Sequence, residues 1–283
     1  MKDYINDKKY IVFLFGSIVG TSVFLLVPYL YVVFISFFER NENSFVGLKN
    51  YIEVFHNHAF ITAMGNTFQF IVICVPLLLA ISLLISLYIF ENQRLGNLLK
   101  TGFLVPMAIP VSSMVLLWKC AFDDNGIING LLESIGFQTV NWMNSNLAFL
   151  ILVFSFIWRN LGYNIILWLA ALSSINPDIN EAAKLDGADF WQRVMHVILP
   201  SIKNGTFVIM VLAVINSFKV FREVYLVAGE YPDESIYMVQ HIFNNWFRNL
   251  EMDKLAAGAV INSVILILLV LLLKITWERK GDE

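Results

Sequence analysis

Charge is what this sequence most lacks. Only 14% of its 283 residues are Asp, Glu, Lys or Arg, while 58% are hydrophobic and mean hydropathy is +0.69. A soluble domain carries about 25% charged residues, so most of this surface faces something other than water. Cysteine is scarce as well. Cys74 and Cys120 both lie in apolar surroundings, which reads them as lipid- or core-facing thiols and not as a disulfide or metal pair. Net charge is −3, with no basic block for nucleic acid. Catalytic signatures are missing too: no H-E-x-x-H, no G-x-S-x-G, no paired carboxylates inside the apolar runs. The pattern "HNH" (His56–His58) has no third ligand near and reads as a loop. No G-x-x-x-x-G-K-[ST] is present to cradle nucleotide phosphates, so the chain is not its own ATPase.

What is present is a series of apolar runs, each of the roughly 20 residues needed to cross a hydrocarbon core. They are continuous, whereas a transmembrane barrel needs short alternating strands. The expected fold is all-α: one polytopic membrane domain over residues 1–283 with six transmembrane helices. The spans fall at residues 10–38, 68–90, 101–118, 147–172, 205–220 and 255–273. The first run is far longer than the core of a cleaved signal and should stay as a membrane helix. Pro28, Pro76, Pro106 and Pro110 sit inside three of the spans. Membrane helices tolerate proline when neighbours re-satisfy the freed carbonyl, and "VPMAIP" (residues 105–110) is expected to bend the third helix.

Lys and Arg in the loops set the orientation. Lys2, Lys8, Lys9, Arg94, Lys100, Lys184, Arg193, Lys203, Lys274, Arg279 and Lys280 fall on one side; Arg40, Lys49, Lys119, Arg222, Arg248 and Lys254 fall on the other. Eleven against six places both termini and the loop at residues 173–203 in the cytoplasm. Residues 39–67, 119–146 and 221–254 become external.

That cytoplasmic loop carries its own helix signals. Asn176 can cap, Pro177 suits the first helical position and Asp178 favours the positive helix end. "DINEAAKLD" then forms a short helix. Gly187 ends it where positive φ costs nothing, and a side chain there would bring strain or a clash. Asp189 with Gln192 forms a capping box that opens "FWQRVMHVILP", closed by Pro200. The apolar residues Ala182, Ala183, Phe190, Trp191 and Val194 either pack back on the membrane helices or form a plug for a cytoplasmic partner. The small alanines allow close approach, and the aromatic pair could anchor.

Glu181-Ala182-Ala183, then Gly187, then Ile198-Leu199-Pro200 resembles the EAA motif of binding-protein-dependent ABC importer permeases, in particular the sugar importers of the maltose and glycerol-phosphate type. The resemblance runs through nearly the whole chain. "FVGLKNY" (residues 45–51) is similar to that family's first external segment. "NGIINGLLESIGF" (residues 125–137) and "VNWM" (residues 140–143) are similar to its second. "IWRNLGYNIILWLAALSSINPDINEAA" resembles its fourth span running into the motif.

The resemblance implies a division of labour in a bacterial plasma membrane. This chain and a second, homologous permease would form the path. Two cytoplasmic ATPase subunits would use ATP and Mg, and an extracellular solute-binding protein would deliver a carbohydrate. The hairpin would be the coupling helix docked on the ATPase, through Glu181, Ala182, Ala183, Asp186, Gly187, Phe190, Trp191, Leu199 and Pro200. Glu181 would be its partner-facing charge.

Polar residues inside the spans are costly, about 2.5–3.5 kcal/mol for a charge at mid-membrane, and so suggest function. Asn160 and Asn164 share a face of the fourth span beside Tyr163, and Asn216 and Ser217 lie on the fifth with Lys219 beyond. A sugar path needs amides, hydroxyls and an aromatic face. Tyr163, Asn216 and Ser217 supply that set, with Asn160 and Asn164 as further candidates. Hydrogen bonding between helices is the competing use of the same residues. The second span offers Asn66 and Gln69, the sixth Asn262 and Ser263. Arg159 reads as structural. The external segment at residues 231–254 has Ile236, Val239, Ile242, Phe243, Trp246 and Phe247 on one helical face, for the membrane interface or for the binding protein. A self-sufficient secondary transporter or channel is the alternative function; it would more often show inverted repeats, and none is detectable.

Overall fold

The computed structural model describes residues 14–39, 44–143, 145 and 147–279. Residues 10–13 of the first expected span, and the charges Lys2, Lys8, Lys9, Arg40 and Lys280, lie outside them. Along the chain come α1 (Leu14–Ile35), a two-residue pair of strands β1 (Phe38–Glu39) and β2 (Ser44–Phe45), α2 (Lys49–His56) and α3 (His58–Glu91). Next are α4 (Gln93–Ala108), α5 (Val111–Phe122), α6 (Ile127–Ser134) and α7 (Leu147–Leu172). Then follow α8 (Pro177–Leu185), α9 (Phe190–Ser201), α10 (Lys203–Ser217), α11 (Phe221–Ala228), α12 (Val239–Arg248) and α13 (Met252–Arg279). Among the described residues four helices, α1, α3, α7 and α13, are long and apolar enough to cross a membrane, or up to six spans if each of two bent pairs counts as one.

Both bends have local causes. The first, of 93°, falls between α4 and α5, where Ile109 is extended at ψ 127 and Pro110 precedes α5. A proline disfavours helical backbone in the residue before it. Pro106 stays inside α4 and Pro76 inside α3, so only the second proline of "VPMAIP" breaks the helix. The second bend, of 78°, separates α9 from α10 at Ile202.

Two expected boundaries need correction. Residues 39–67 do not run as loop up to the second span, because α2 covers Lys49–His56 and α3 begins at His58. "HNH" is a helix junction and not a loop. His56 closes α2, extended Asn57 accepts from the Phe60 backbone N–H at 3.0 Å, and His58 opens α3. The fifth span likewise does not stop at Val220; a 3₁₀ turn (Phe218–Val220) leads straight into α11.

Contacts divide the chain into two units, Met1–Ile61 with Ile242–Leu271, and Thr62–His241 with Leu272–Glu283. In the first unit, α1 buries none of its residues. Its end is fixed by "FVGLKNY": buried Asn50 donates to the Ser36 and Phe38 carbonyls, both at 3.0 Å, and the Tyr51 and Ser36 hydroxyls meet at 2.6 Å. Phe60 stacks on Trp246 at 5.9 Å between ring centroids, and a Cβ on Gly258 would sit 2.8 Å from the Trp246 ring. Small residues let membrane helices close up in this way.

In the second unit α7 is the central post. Buried Trp168 donates its indole N–H to Ser82 Oγ on α3 at 3.0 Å, and Ser86 Oγ donates to the Ile165 carbonyl at 3.2 Å. The fully or nearly buried Leu87, Ile165, Trp168, Leu172, Ile198 and Ile202 form the core around them. Gly162 of α7 lies directly on the Phe103 backbone of α4, closer than any side chain permits. The expected external motif "NGIINGLLESIGF…VNWM" is organised by buried Asn129. Its amide donates to the Val140 carbonyl at 2.9 Å and accepts from the Val140 N–H at 3.0 Å and the Trp142 indole at 2.9 Å.

Most of the apolar face expected at the membrane interface or on a partner is used inside the fold, while Phe243 is half-buried and Phe247 is 58% exposed. Ile236, Val239, Ile242 and Trp246 are 2, 0, 3 and 4% exposed. Asn66 and Thr67 help hold this segment. Asn66 donates to the Glu234 and Tyr237 carbonyls, and Thr67 Oγ1 accepts from the Val239 N–H at 3.0 Å.

Candidate functional site

Two features could serve transport. The first is the hairpin of α8 and α9. Asn176 Oδ1 accepts from the Asp178 N–H at 3.0 Å, and Pro177 opens α8. At the other end the Gly187 N–H reaches the Lys184 carbonyl and the Ala188 N–H the Ala183 carbonyl, both at 3.1 Å, with Gly187 at φ +80. That is a Schellman closure. A Cβ at Gly187 would meet nothing within 4 Å, so glycine is required by its backbone angle and not by crowding. The capping box forms in full: the Gln192 N–H to Asp189 Oδ1 at 2.7 Å, the Asp189 N–H to Gln192 Oε1 at 2.8 Å.

The hairpin has an inner and an outer side. Inside, Val194 and Ile198 are buried, and Phe190 and Leu199 pack on the core. Outside, Leu185 is 88% exposed, Met195 60% and Trp191 59%. Glu181, Ala182, Asp186, Gly187 and Pro200 are also exposed, and Ala183 is half-buried. The aromatic pair therefore divides: Phe190 anchors the hairpin to its own chain and Trp191 is presented outward. Leu185 and Met195 belong to the same outer side and carried no signal in the sequence beyond being apolar in a polar loop.

Behind the hairpin Glu91, at the end of α3, meets both of its helices. Arg193 Nη1 donates to Glu91 Oε1 at 2.9 Å and to Asn180 Oδ1 at 3.1 Å, while Lys184 Nζ lies 3.4 Å from Glu91 Oε2. A recess of about 1030 Å³ opens beside them, lined by Phe90, Glu91, Ser173, Asn180, Glu181 and Lys184 among others.

The second feature is a cavity of about 320 Å³ lined by Met107, Phe156, Arg159, Asn160, Tyr163, Asn216, Lys219, Val220, Arg222 and Glu223. Three of the expected path residues, Tyr163, Asn160 and Asn216, come together here. Two do not line it. Ser217 is buried with its hydroxyl on the Val214 carbonyl, and Asn164 is buried with its amide on the Asn160 carbonyl at 3.0 Å. Asn216 Oδ1 accepts from Lys219 Nζ at 2.7 Å. Arg159 pairs with Glu223 of α11, a partner that a fifth span ending at Val220 had left outside the membrane. The cavity lining thus combines amides, a phenol and cations with the Glu223 carboxylate.

Several membrane-crossing helices, a polar cavity beside α7 and α10, and a rigid capped hairpin define a membrane transport subunit. The chain belongs to the family of binding-protein-dependent transport system inner membrane components, matched over residues 79–277. The arabinooligosaccharides transport system permease protein AraP of Bacillus subtilis is 30% identical over 99% of this chain and 93% of its own. The osmoprotective compounds uptake permease protein GgtC of Synechocystis is 29% identical over 92% of this chain and 94% of its own. The fold matches a chain of a bacterial alginate ABC transporter, solved in complex with an alginate pentasaccharide-bound periplasmic protein, with a TM-score of 0.84 at 23% identity, over 99% of this chain and 97% of that one.

Proposed function

We propose that this chain, acting as one permease domain over residues 1–283, is half of the membrane path of an ATP-driven importer, paired with a second permease of like topology. It sits in a bacterial plasma membrane with both termini and the hairpin in the cytoplasm. Two ATPase subunits on that side hydrolyse ATP with Mg, and an extracellular solute-binding protein supplies the solute. The solute class is a carbohydrate, in keeping with relatives such as AraP, and the wall of Tyr163, Asn160 and Asn216 suits its hydroxyls. Asn164 and Ser217 would support that wall from within their helices.

The observation that carries the reading is the outer side of the hairpin. Leu185, Trp191 and Met195 stand exposed on two capped helices beside Glu181 and Ala182, a stiff apolar surface flanked by charge. Exposed clusters of large apolar residues rimmed by polar ones mark protein contacts, and a short pinned helix moves as a rigid body. Ala183, Asp186, Gly187 and Pro200 shape that surface, and Phe190 and Leu199 hold it on the core.

The test is purification of the tagged chain from membranes in mild detergent, with identification of the subunits that accompany it. An ATPase that accompanies the native chain and is lost from Leu185→Asp/Trp191→Asp supports the reading. Uptake that persists in vesicles after deletion of the ATPase supports a self-sufficient transporter or channel instead.

A further inference from the structure

The two helices of the hairpin are attached to the rest of the chain in different ways. α9 is fixed by apolar burial, through Val194 and Ile198. α8 buries none of its residues, although it carries Glu181, Ala182 and Leu185 of the outer surface. A push on α8 therefore reaches the membrane helices through its flanking turns and through polar contacts. The described polar contacts converge on one carboxylate. Lys184 of α8 lies 3.4 Å from Glu91, and Asn180 of α8 accepts from Arg193, which itself donates to Glu91 at 2.9 Å.

The pairs differ in strength. Lys184 is about half exposed, and an exposed pair of that kind holds little. The Arg193 side chain is only 8% exposed. A buried charge keeps its place only while it is paired, and losing one partner is costly. Its guanidinium, 6.0 Å from the Phe190 ring centre, is shared between α8 and Glu91. We propose that Glu91 is a positioning residue which carries movement of the hairpin into the end of α3, linking ATP hydrolysis on a docked partner to the path in the membrane. This rests on the hairpin being the ATPase docking surface.

The test uses the full complex in proteoliposomes and reads solute transported per ATP hydrolysed. Glu91→Gln is expected to keep the ATPase bound and hydrolysing while transport per ATP falls at least about fivefold, the low end of typical coupling between sites. The exchange Glu91→Arg/Arg193→Glu should recover part of that loss. A merely structural role would lower transport and hydrolysis together. An unchanged ratio in Glu91→Gln overturns the proposal. Should Glu91→Gln fail to assemble, Asn180→Ala decides, because it removes the contact from α8 to Arg193: a lowered ratio supports the linkage and an unchanged one overturns it. A native complex without a bound ATPase would instead overturn the docking reading, and this inference with it.

Discussion

Arg159 of α7 and Glu223 of α11 form an ion pair at the edge of the polar cavity, with side chains 19 and 13% exposed. Each neutralises a charge that the membrane would otherwise disfavour. Glu223→Ala leaves Arg159 uncompensated, a change worth about 3 kcal/mol for a well-buried pair. The expected outcome is a lower thermal midpoint in detergent and less protein in the membrane. Exchanging the two, Arg159→Glu/Glu223→Arg, should recover much of the loss. No recovery would mean that the pair's surroundings, and not its charges, matter.

Gly162 and Gly187 make a contrasting pair of tests. A Cβ at Gly162 runs into the Phe103 backbone, which has no side chain to turn aside. Gly162→Ala must push α4 from α7, an overpacking cost of about 1–3 kcal/mol, and a larger residue there should prevent folding. At Gly187 there is room for a side chain, and only φ +80 resists it. Gly187→Ala should cost about 1 kcal/mol, and Gly187→Asn less, because Asn tolerates that backbone region. Thermal midpoints of the three variants rank the two effects.

This contrast shows how far the sequence could be read. Local chemistry was legible: the Asn176 cap, the capping box at Asp189 and the positive φ of Gly187 all depend on residues within a few positions of one another. Span α7 was legible to the residue because its apolar run ends in turn signals. Gly162 was not, since its partner Phe103 is far away in the chain and glycine in an apolar helix says nothing of what crosses it. Glu223 was missed for a related reason. Arg222 and Glu223 read as a wet loop, and only the distant Arg159 and the cavity explain charges on a continuing helix. The face of Ile236, Val239, Ile242 and Trp246 gave the right periodicity but not its destination, because periodicity does not tell protein from lipid.

His241 predicts an acid limit to stability. It is fully buried, its Nδ1 accepts from the Met238 N–H at 3.0 Å, and the Phe221 and Tyr237 rings lie against it. Burial pushes its pKa down to about 4, outweighing the opposing effect of the Met238 hydrogen bond. The folded value lies below the ordinary one of about 6.5, so the unfolded chain takes up the proton first. Stability is then complete above pH 6.5 and is lost as pH falls toward 4, by about 3 kcal/mol in all. Thermal midpoints of the native chain and His241→Leu should converge in slope above pH 7 and diverge below 6. Equal acid sensitivity of both proteins would refute the assignment.

Tyr163 and Asn216 separate the path from the drive. Both line the 320 Å³ cavity, and neither is part of the hairpin. Tyr163→Ala removes an aromatic face, and Asn216→Ala removes an amide while freeing Lys219 from its 2.7 Å bond. If solute passes here, each variant should raise the solute concentration needed for half-maximal uptake or change which solutes compete. A lost hydrogen bond or ring contact of about 1–2 kcal/mol corresponds to roughly 5- to 30-fold. The ATPase should stay bound in both. Leu185→Asp/Trp191→Asp should show the reverse, an unaltered solute preference in whatever uptake remains and a lost ATPase. Silence of both cavity variants would move the path away from this wall, whereas loss of the ATPase from either would show that the cavity and the hairpin are not separable.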